Sequence, residues 1–372
     1  PLLPAEVRIG GPGMASSYGG GMRQFRQIVD ECKKVGWSPD FLSWHDYSGF
    51  PMDQAYYNTA QRVTDLTRKA GLKLPELILS EWNCGLPGRG AYPQVDDHRG
   101  AANFVAMTAA LSRTPVTHSL FFMLQDGSWD TQTDFAGESV GAFTLHGAPK
   151  SVLAAMRMLR TACDLPAVPT VSREALPVNF ALMATRSGSS GYLVAASCFG
   201  KEEQHAKRLV EIVGLDLSTI QADEGMAERY AKGQISYEKS GLPAAQKPQW
   251  DEIARRLKAL REERSARERQ ITIRLKDAPA RVVGAWLIDE THGNPIKDAD
   301  FRAKFRPLEQ GWFPASAQMT VQKLRGEGVA EADLQKIEAA FGKKQESIPG
   351  LSAATAARCK EVFADMRHRA EY

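Results

Sequence analysis

The strongest constraint in this sequence is a rhythm. Over residues 1–160, short apolar runs alternate with helical patterns at a spacing of about 35–40 residues, the mark of βαβ units and a parallel sheet. The runs expected as buried strands are 6–10, 39–44, 74–80 and 117–124. Each gives way to a loop rich in Gly, Pro, Asp or Ser, and then to a helix. The first helix, 22–36, sets Phe25, Ile28, Val29 and Cys32 on one face, with Gly36 as its C-cap. The other helices are expected at 53–70, 98–112 and 150–161. Four such units make half of a (β/α)8 barrel, which needs eight strands and about 250 residues. An open four-stranded parallel sheet is the alternative, and it would hold its ligand at a strand-order reversal beside a phosphate loop. Gly10-Gly11-Pro12-Gly13 and Gly19-Gly20-Gly21 are rich in glycine. Neither fits a dinucleotide fingerprint opening into a helix or a Walker loop, so nucleotide binding is not expected.

From about Val168 the pattern changes. Residues 180–185, 191–196, 269–275 and 280–289 read as short strands joined by Ser/Gly turns, which points to an antiparallel β-sandwich. A polar stretch, 200–268, interrupts it, and its later part, 250–267, reads as a charged helix with Ile253, Leu257 and Leu260 on one face. The tail from about Gln318 is expected to be helical over 330–341 and 353–368, with Pro349-Gly350 between. The expected division is a half-barrel over 1–165, a β-sandwich over 166–310 with a helical insertion at about 217–268, and a helical tail over 311–372.

Composition excludes several classes. Lys plus Arg number 47 against 44 for Asp plus Glu, so the charge balance lacks the strongly basic footprint of a nucleic-acid binder. No apolar run approaches the roughly 18 residues of a membrane span. The five cysteines are scattered and odd in number, which fits neither a disulfide framework nor a zinc site. None of the five asparagines opens a glycosylation sequon. No cofactor or metal is expected. The sequence opens on Pro1 with no signal-like segment, and the expectation drawn is that an upstream portion belongs with it.

In a parallel barrel, catalytic groups stand at the C-terminal ends of strands. Here those ends read Gly10-Gly11-Pro12, Ser43-Trp44-His45-Asp46-Tyr47, Ser80-Glu81-Trp82-Asn83 and Gln125-Asp126-Gly127-Ser128-Trp129. Carboxylates, an imidazole, a phenol and several indoles converge on one mouth, with no Gly-x-Ser-x-Gly elbow and no His/Cys cluster. Carboxylates flanked by aromatic platforms suit carbohydrate chemistry: indoles cover the C–H face of a sugar, and carboxylates act at the anomeric carbon.

The succession VRIGGP, DFLSWHDY, LILSEWN and FTLHGAPKSVLAAMRML, spanning Val7–Leu159, resembles the C-terminal half of the barrel in family 39 glycoside hydrolases. That family includes β-xylosidases, α-L-iduronidases and bacterial exopolysaccharide glycosidases, and carries a β-sandwich after its (β/α)8 barrel. Trp286-Leu287-Ile288-Asp289 and Asn294-Pro295 resemble a strand and turn of that sandwich. The resemblance implies a retaining O-glycosidase acting on an oligo- or polysaccharide, periplasmic or secreted. It implies Glu81 as the nucleophile, Tyr47 as its hydrogen-bond partner and His45 as a ligand of sugar hydroxyls or a help in setting the proton balance. Trp44, Asn83, Asp126 and Trp129 are expected to contact substrate, and His146 to be structural.

One part of the family pattern is missing. A retaining glycosidase needs a second carboxyl group about 5–5.5 Å from the nucleophile. In the resembled family that acid is the Glu of an Asn-Glu-Pro motif on the strand before 6–10, and no asparagine here is followed by Glu. Asp46, Asp126, Asp130 and Glu138 are the substitutes within the sequence. Half a barrel also leaves two open sheet edges and an uncovered inner face. The first four βα units are therefore expected from the same polypeptide or from a second chain. The alternative is an inactive carbohydrate-binding or polysaccharide-assembly protein of the same fold.

Overall fold

The computed structural model of the chain describes residues 4, 6–15, 20–47, 53–83, 96–126, 140–144, 147–170, 180–197, 229–230, 232–265, 272–274, 281–343 and 347–370, with 209, 213, 215 and 345. The chain divides into two units. One comprises Pro1–Gly85, Arg99–Phe122 and Ala155–Trp286; the other comprises Leu86–His98, Met123–Ala154 and Leu287–Tyr372.

The first unit carries the expected alternation: β1 (Gly10–Met14), α1 (Gly20–Val35), β2 (Phe41–Asp46), α2 (Asp53–Lys69), β3 (Glu76–Trp82), α3 (His98–Leu111), β4 (His118–Phe121) and α4 (Ser151–Cys163), of which α3 and α4 run across the boundary between units. All four strands pair in parallel, in the order β1-β2-β3-β4. The helices fall where periodicity puts them, and Gly36 ends α1 with a φ of +63° while Trp37 N–H reaches back to the Cys32 carbonyl.

The first three strands begin two to four residues later than expected, which carries β2 and β3 through His45 and Glu81. β1 is itself the Gly-Gly-Pro-Gly run that composition marks as a turn. Gly10 explains why: a Cβ there would lie 2.2 Å from the Phe41 carbonyl oxygen, so only glycine lets the strand approach β2. Pro12 is tolerated because β1 is an edge strand.

Strand alternation sorts the side chains into two faces. Leu42 and Trp44 of β2 and Leu77, Leu79 and Trp82 of β3 join Phe25 and Val29 of α1, Ala60 and Val63 of α2, and Met107 and Ala110 of α3 in one buried cluster. Aromatic edges lock it: Phe25 meets Trp44 edge-on at 6.2 Å, and Trp82 stacks on Phe104 at 5.3 Å while meeting Phe121 edge-on. On the opposite face Leu120 of β4 is 54% exposed. At the N-terminal ends of the strands, Glu76 pairs with Arg8 and His118, and bonds to Thr117 and Arg8 hold its carboxyl below the usual range.

The same unit contains a second sheet, with β5 (Ala167–Val168), β6 (Phe180–Ser187) and β7 (Ser190–Ser197) antiparallel in that order. The strands expected at 180–185 and 191–196 are β6 and β7. Of those expected at 269–275 and 280–289, residues 269–271, 275 and 280 lie outside the described residues and the rest pair with nothing among the described ones, so what is seen is a three-stranded antiparallel sheet and not the expected sandwich. Val282, Val283, Trp286 and Leu287 stay exposed instead. Beyond the sheet, α5 (Lys247–Ser265) buries Trp250, Ile253 and Leu257 along one stripe, close to the expected helix.

The second unit holds the helical tail. It consists of α6 (Ala299–Gly326), which starts before the expected 318, then α7 (Glu331–Gly342) and α8 (Ala353–Ala370). Asp298 caps α6 by accepting the Phe301 N–H. Val321 and Leu324, Leu334, Ile337 and Phe341, and Val362, Phe363 and Met366 form its core, where Phe341 stacks on Phe363 at 4.8 Å. A buried ion cluster lies in the same unit. Lys150 is fully buried, and its Nζ meets Asp96 Oδ1 at 2.5 Å and Asp126 Oδ1 at 2.7 Å, while Asp126 Oδ1 also accepts the Gly141 N–H.

Two measurements of stability test this account. Leu79→Ala, which empties a fully buried position beneath the open face, is expected to cost about 2–5 kcal/mol in chemical unfolding. Lys150→Ala leaves Asp96 and Asp126 without their cation and is expected to cost about 3–5 kcal/mol, whereas the triple change Lys150→Met, Asp96→Asn, Asp126→Asn should recover most of that loss.

Candidate active site

Glu81 belongs to the open face because of an extra residue. Trp44 pairs with Leu79 but His45 pairs with Glu81, so Ser80 is a β-bulge opposite β2. In a regular strand, alternation from the buried Leu79 would send Glu81 into the helix layer and Trp82 outward. The bulge reverses both. Trp82 enters the core, and Glu81 comes out beside His45, 32% exposed at its side chain. Ser80 Oγ donates to the Trp44 carbonyl at 3.2 Å, which supplies a bond where the ladder skips.

On that face three expected side chains come together. The Tyr47 hydroxyl donates to Glu81 Oε2 at 2.5 Å, and His45 Nδ1 lies 3.3 Å from the same oxygen. Burial first, and then the hydrogen bond and charge of Glu81, push the Tyr47 phenol well above its ordinary range. Tyr47 therefore stays a neutral donor at any working pH. Its ring stands edge-on to His45 at 6.4 Å and to Phe122 at 6.0 Å. Gly13 lines the floor: its missing Cβ would lie 3.4 Å from His45 Nε2, and its N–H donates to Ser43 Oγ at 2.9 Å. A carboxylate one-third open to solvent, held on one oxygen by a phenol and an imidazole, leaves its other oxygen to attack or to accept.

The other expected site residues that the structure describes are buried. Trp44 is fully buried on the helix side, packed against Phe25. Asn83 is 2% exposed and its Nδ2 donates to the Phe122 carbonyl at 2.5 Å. Asp126 is buried on Lys150. Trp129, Asp130, Glu138 and His146 lie outside the described residues. Asp46, proposed as a substitute acid, is 2% exposed and faces the helix layer with Trp44. Phe122 is the residue the sequence reading passed over. It stands in the apolar run 117–124, and only alternation past Phe121 signals that its ring turns to the open face. Among the described residues no group of His, Cys, Asp and Glu is placed to hold a metal ion, and no helix is long and apolar enough to cross a membrane.

No protein-family model matches this chain, and no curated protein matches it in sequence. Solved structures do. A glucosidase from Croceicoccus marinus is 20% identical over 54% of this chain and 41% of its own, with a TM-score of 0.42. A monomeric beta-xylosidase from Caulobacter crescentus CB15 is 18% identical over 51% and 38%, with a TM-score of 0.38. The GH39 enzyme from Xanthomonas axonopodis pv. citri is 16% identical over 49% and 36%, with a TM-score of 0.37. The chain thus spans about two fifths of the length of each. Over about half its own length, what this chain is similar to is a set of glycosidase structures.

Proposed function

We propose that this chain is the nucleophile-bearing part of a retaining O-glycoside hydrolase acting on an oligo- or polysaccharide, with Glu81 as nucleophile. The observation that carries the reading is the Glu81 carboxylate on the open face of the sheet, gripped on one oxygen by Tyr47 and His45. In this reading Glu81 attacks the anomeric carbon through an oxocarbenium-like transition state and becomes the glycosyl ester. The neutral Tyr47 donor keeps the Glu81 carboxylate aimed until the ester forms, and His45 meets a sugar hydroxyl beside it. No metal or cofactor takes part in any of these steps.

The half-barrel of 1–165 would be completed by four further βα units, from the same polypeptide or a second chain, closing on the free edges of β1 and β4. The strand placed against β1 would bring the acid/base carboxyl that protonates the leaving oxygen and then activates water. The 166–310 portion would be a β-sandwich bracing the barrel, and 311–372 a helical tail. Export to the periplasm or beyond suits a polysaccharide substrate. A second reading, saccharide binding without turnover, is favoured by the lack of any Asn-Glu pair in the sequence.

An activated leaving group separates the two. From a 2,4-dinitrophenyl 2-deoxy-2-fluoro glycoside, 2,4-dinitrophenolate departs without protonation as the carboxylate takes the glycosyl group, so trapping requires the nucleophile but no acid. Incubation of the full chain with gluco- and xylo-configured probes of both anomeric forms is expected to add one sugar to the peptide containing Glu81, read by mass spectrometry. Glu81→Gln should lower the trapping rate by on the order of 10^5-fold. Saccharide binding with no adduct from any probe would establish the second reading. Tyr47→Phe removes one hydrogen bond to a charged group and is expected to slow trapping roughly tenfold to a hundredfold.

A further inference from the structure

We propose that Asn83 is a positioning residue of the Glu81 site: it anchors the Phe122 backbone so that the Phe122 ring holds Tyr47 in register with the carboxylate. Asn83 is 2% exposed, which leaves it almost no surface to offer a sugar. Two of its bonds run to the backbone of neighbouring strand ends. The side-chain amide donates to the Phe122 carbonyl at 2.5 Å and its backbone N–H donates to the Asp46 carbonyl at 3.3 Å, while the Phe122 N–H donates to the Trp82 carbonyl at 3.0 Å. Asn83 therefore ties the ends of β2, β3 and β4 together just past the last ladder pairs, Asp46 with Trp82 and Trp82 with Phe121.

The tie matters because of what stands on it. Tyr47 is one residue beyond β2, where the ladder no longer fixes the backbone. Its hydroxyl must still reach Glu81 Oε2, and the ring contacts that bracket it are His45 at 6.4 Å and Phe122 at 6.0 Å, both edge-on. Phe122 is likewise one residue beyond β4, held by the Trp82 carbonyl on its N–H and by Asn83 on its carbonyl. Removing the Asn83 amide frees the second hold, the Phe122 edge withdraws, and the phenol gains rotamers that turn it away from the carboxylate. Among the described residues the charged and titratable groups facing Tyr47 are Glu81 and His45.

The role is tested on the full chain by the ionisation of Tyr47, which needs no substrate. Tyrosinate absorbance is followed in paired proteins with and without Tyr47→Phe, so that the difference isolates one phenol. In the parent, Tyr47→Phe should remove no phenol titrating below about pH 11, since an ordinary tyrosine ionises near pH 10. In Asn83→Ala, and separately in Phe122→Leu, the same subtraction should reveal one phenol below that pH. Phe122→Leu keeps the backbone bond to Asn83 and removes only the ring, so it carries the test where Asn83→Ala does not fold. Two folded variants with the parent's titration would overturn the proposal. The kinetic arm rests on the glycosidase reading: trapping should slow roughly tenfold at saturation with the half-saturating probe concentration unchanged. A raised half-saturating concentration with an unmoved phenol would instead make Asn83 a substrate contact. A shifted phenol in a protein that no probe labels would sink the glycosidase reading and leave the positioning role standing.

Discussion

The site depends on one extra residue in β3. A parallel sheet covered by helices on one side sorts its side chains by parity, and a strand that begins Leu77, Leu79 on the buried side commits position 81 to that side as well. A carboxylate there would enter a layer made of Trp44, Leu79 and Met107, at a desolvation cost that the open face of the sheet spares it. The bulge at Ser80 removes the conflict. It gives the core a tryptophan and gives the open face a carboxylate, and the Ser80 hydroxyl fills the bonding gap that the skipped register leaves at Trp44. Position 81 can then be acidic without cost to the fold.

The two faces of the sheet follow opposite rules. The helix side is dense and aromatic, with tryptophans fixed edge-on or stacked against phenylalanines. The open side carries Ser43, His45, Glu81 and an exposed Leu120, side chains neither polar enough for a surface nor apolar enough for a core. Mixed lining of this kind suits a hollow, where a few polar groups aim at a ligand and the rest exclude water. Closure by further strands is the economical way to turn such a face into an interior, and it would satisfy the edges of β1 and β4 in the same step.

Much of this was legible in the sequence, for identifiable reasons. The helices followed from 3.6-residue periodicity and a capping glycine at 36, because burial on one face leaves the same mark whatever the tertiary context. The meeting of His45, Tyr47 and Glu81 followed from strand ends in a parallel sheet. Strand boundaries did not follow, since Gly-Gly-Pro-Gly carries a turn's composition and becomes a strand only because Phe41 crowds position 10. The bulge left a trace: apolar residues at 77, 79 and 82 are spaced by two and then three, which is a strand that changes parity. Asn83 and Asp126, expected at a substrate from residue type at a strand end, are buried in the structure. A polar side chain near a strand end can serve a ligand or the backbone, and residue type alone does not tell which; burial does.

The carboxylates themselves show how the fold separates the two uses. Asp126 is sequestered on a fully buried lysine that it shares with Asp96, an arrangement that spends its charge on holding chain segments together. Among the described residues Glu81 has no comparable cation. Its partners are a phenol that remains neutral and an imidazole at 3.3 Å, and a third of its side chain is open. A hydrogen bond from a neutral phenol orients a carboxylate without cancelling its charge, whereas a lysine at the same distance would hold it as firmly and neutralise it. The choice of a tyrosine over a cation at position 47 is therefore the chemical decision that makes Glu81 a candidate for attack and not another structural ion pair. It is also why the geometry around that phenol, down to the amide of Asn83, bears on the chemistry.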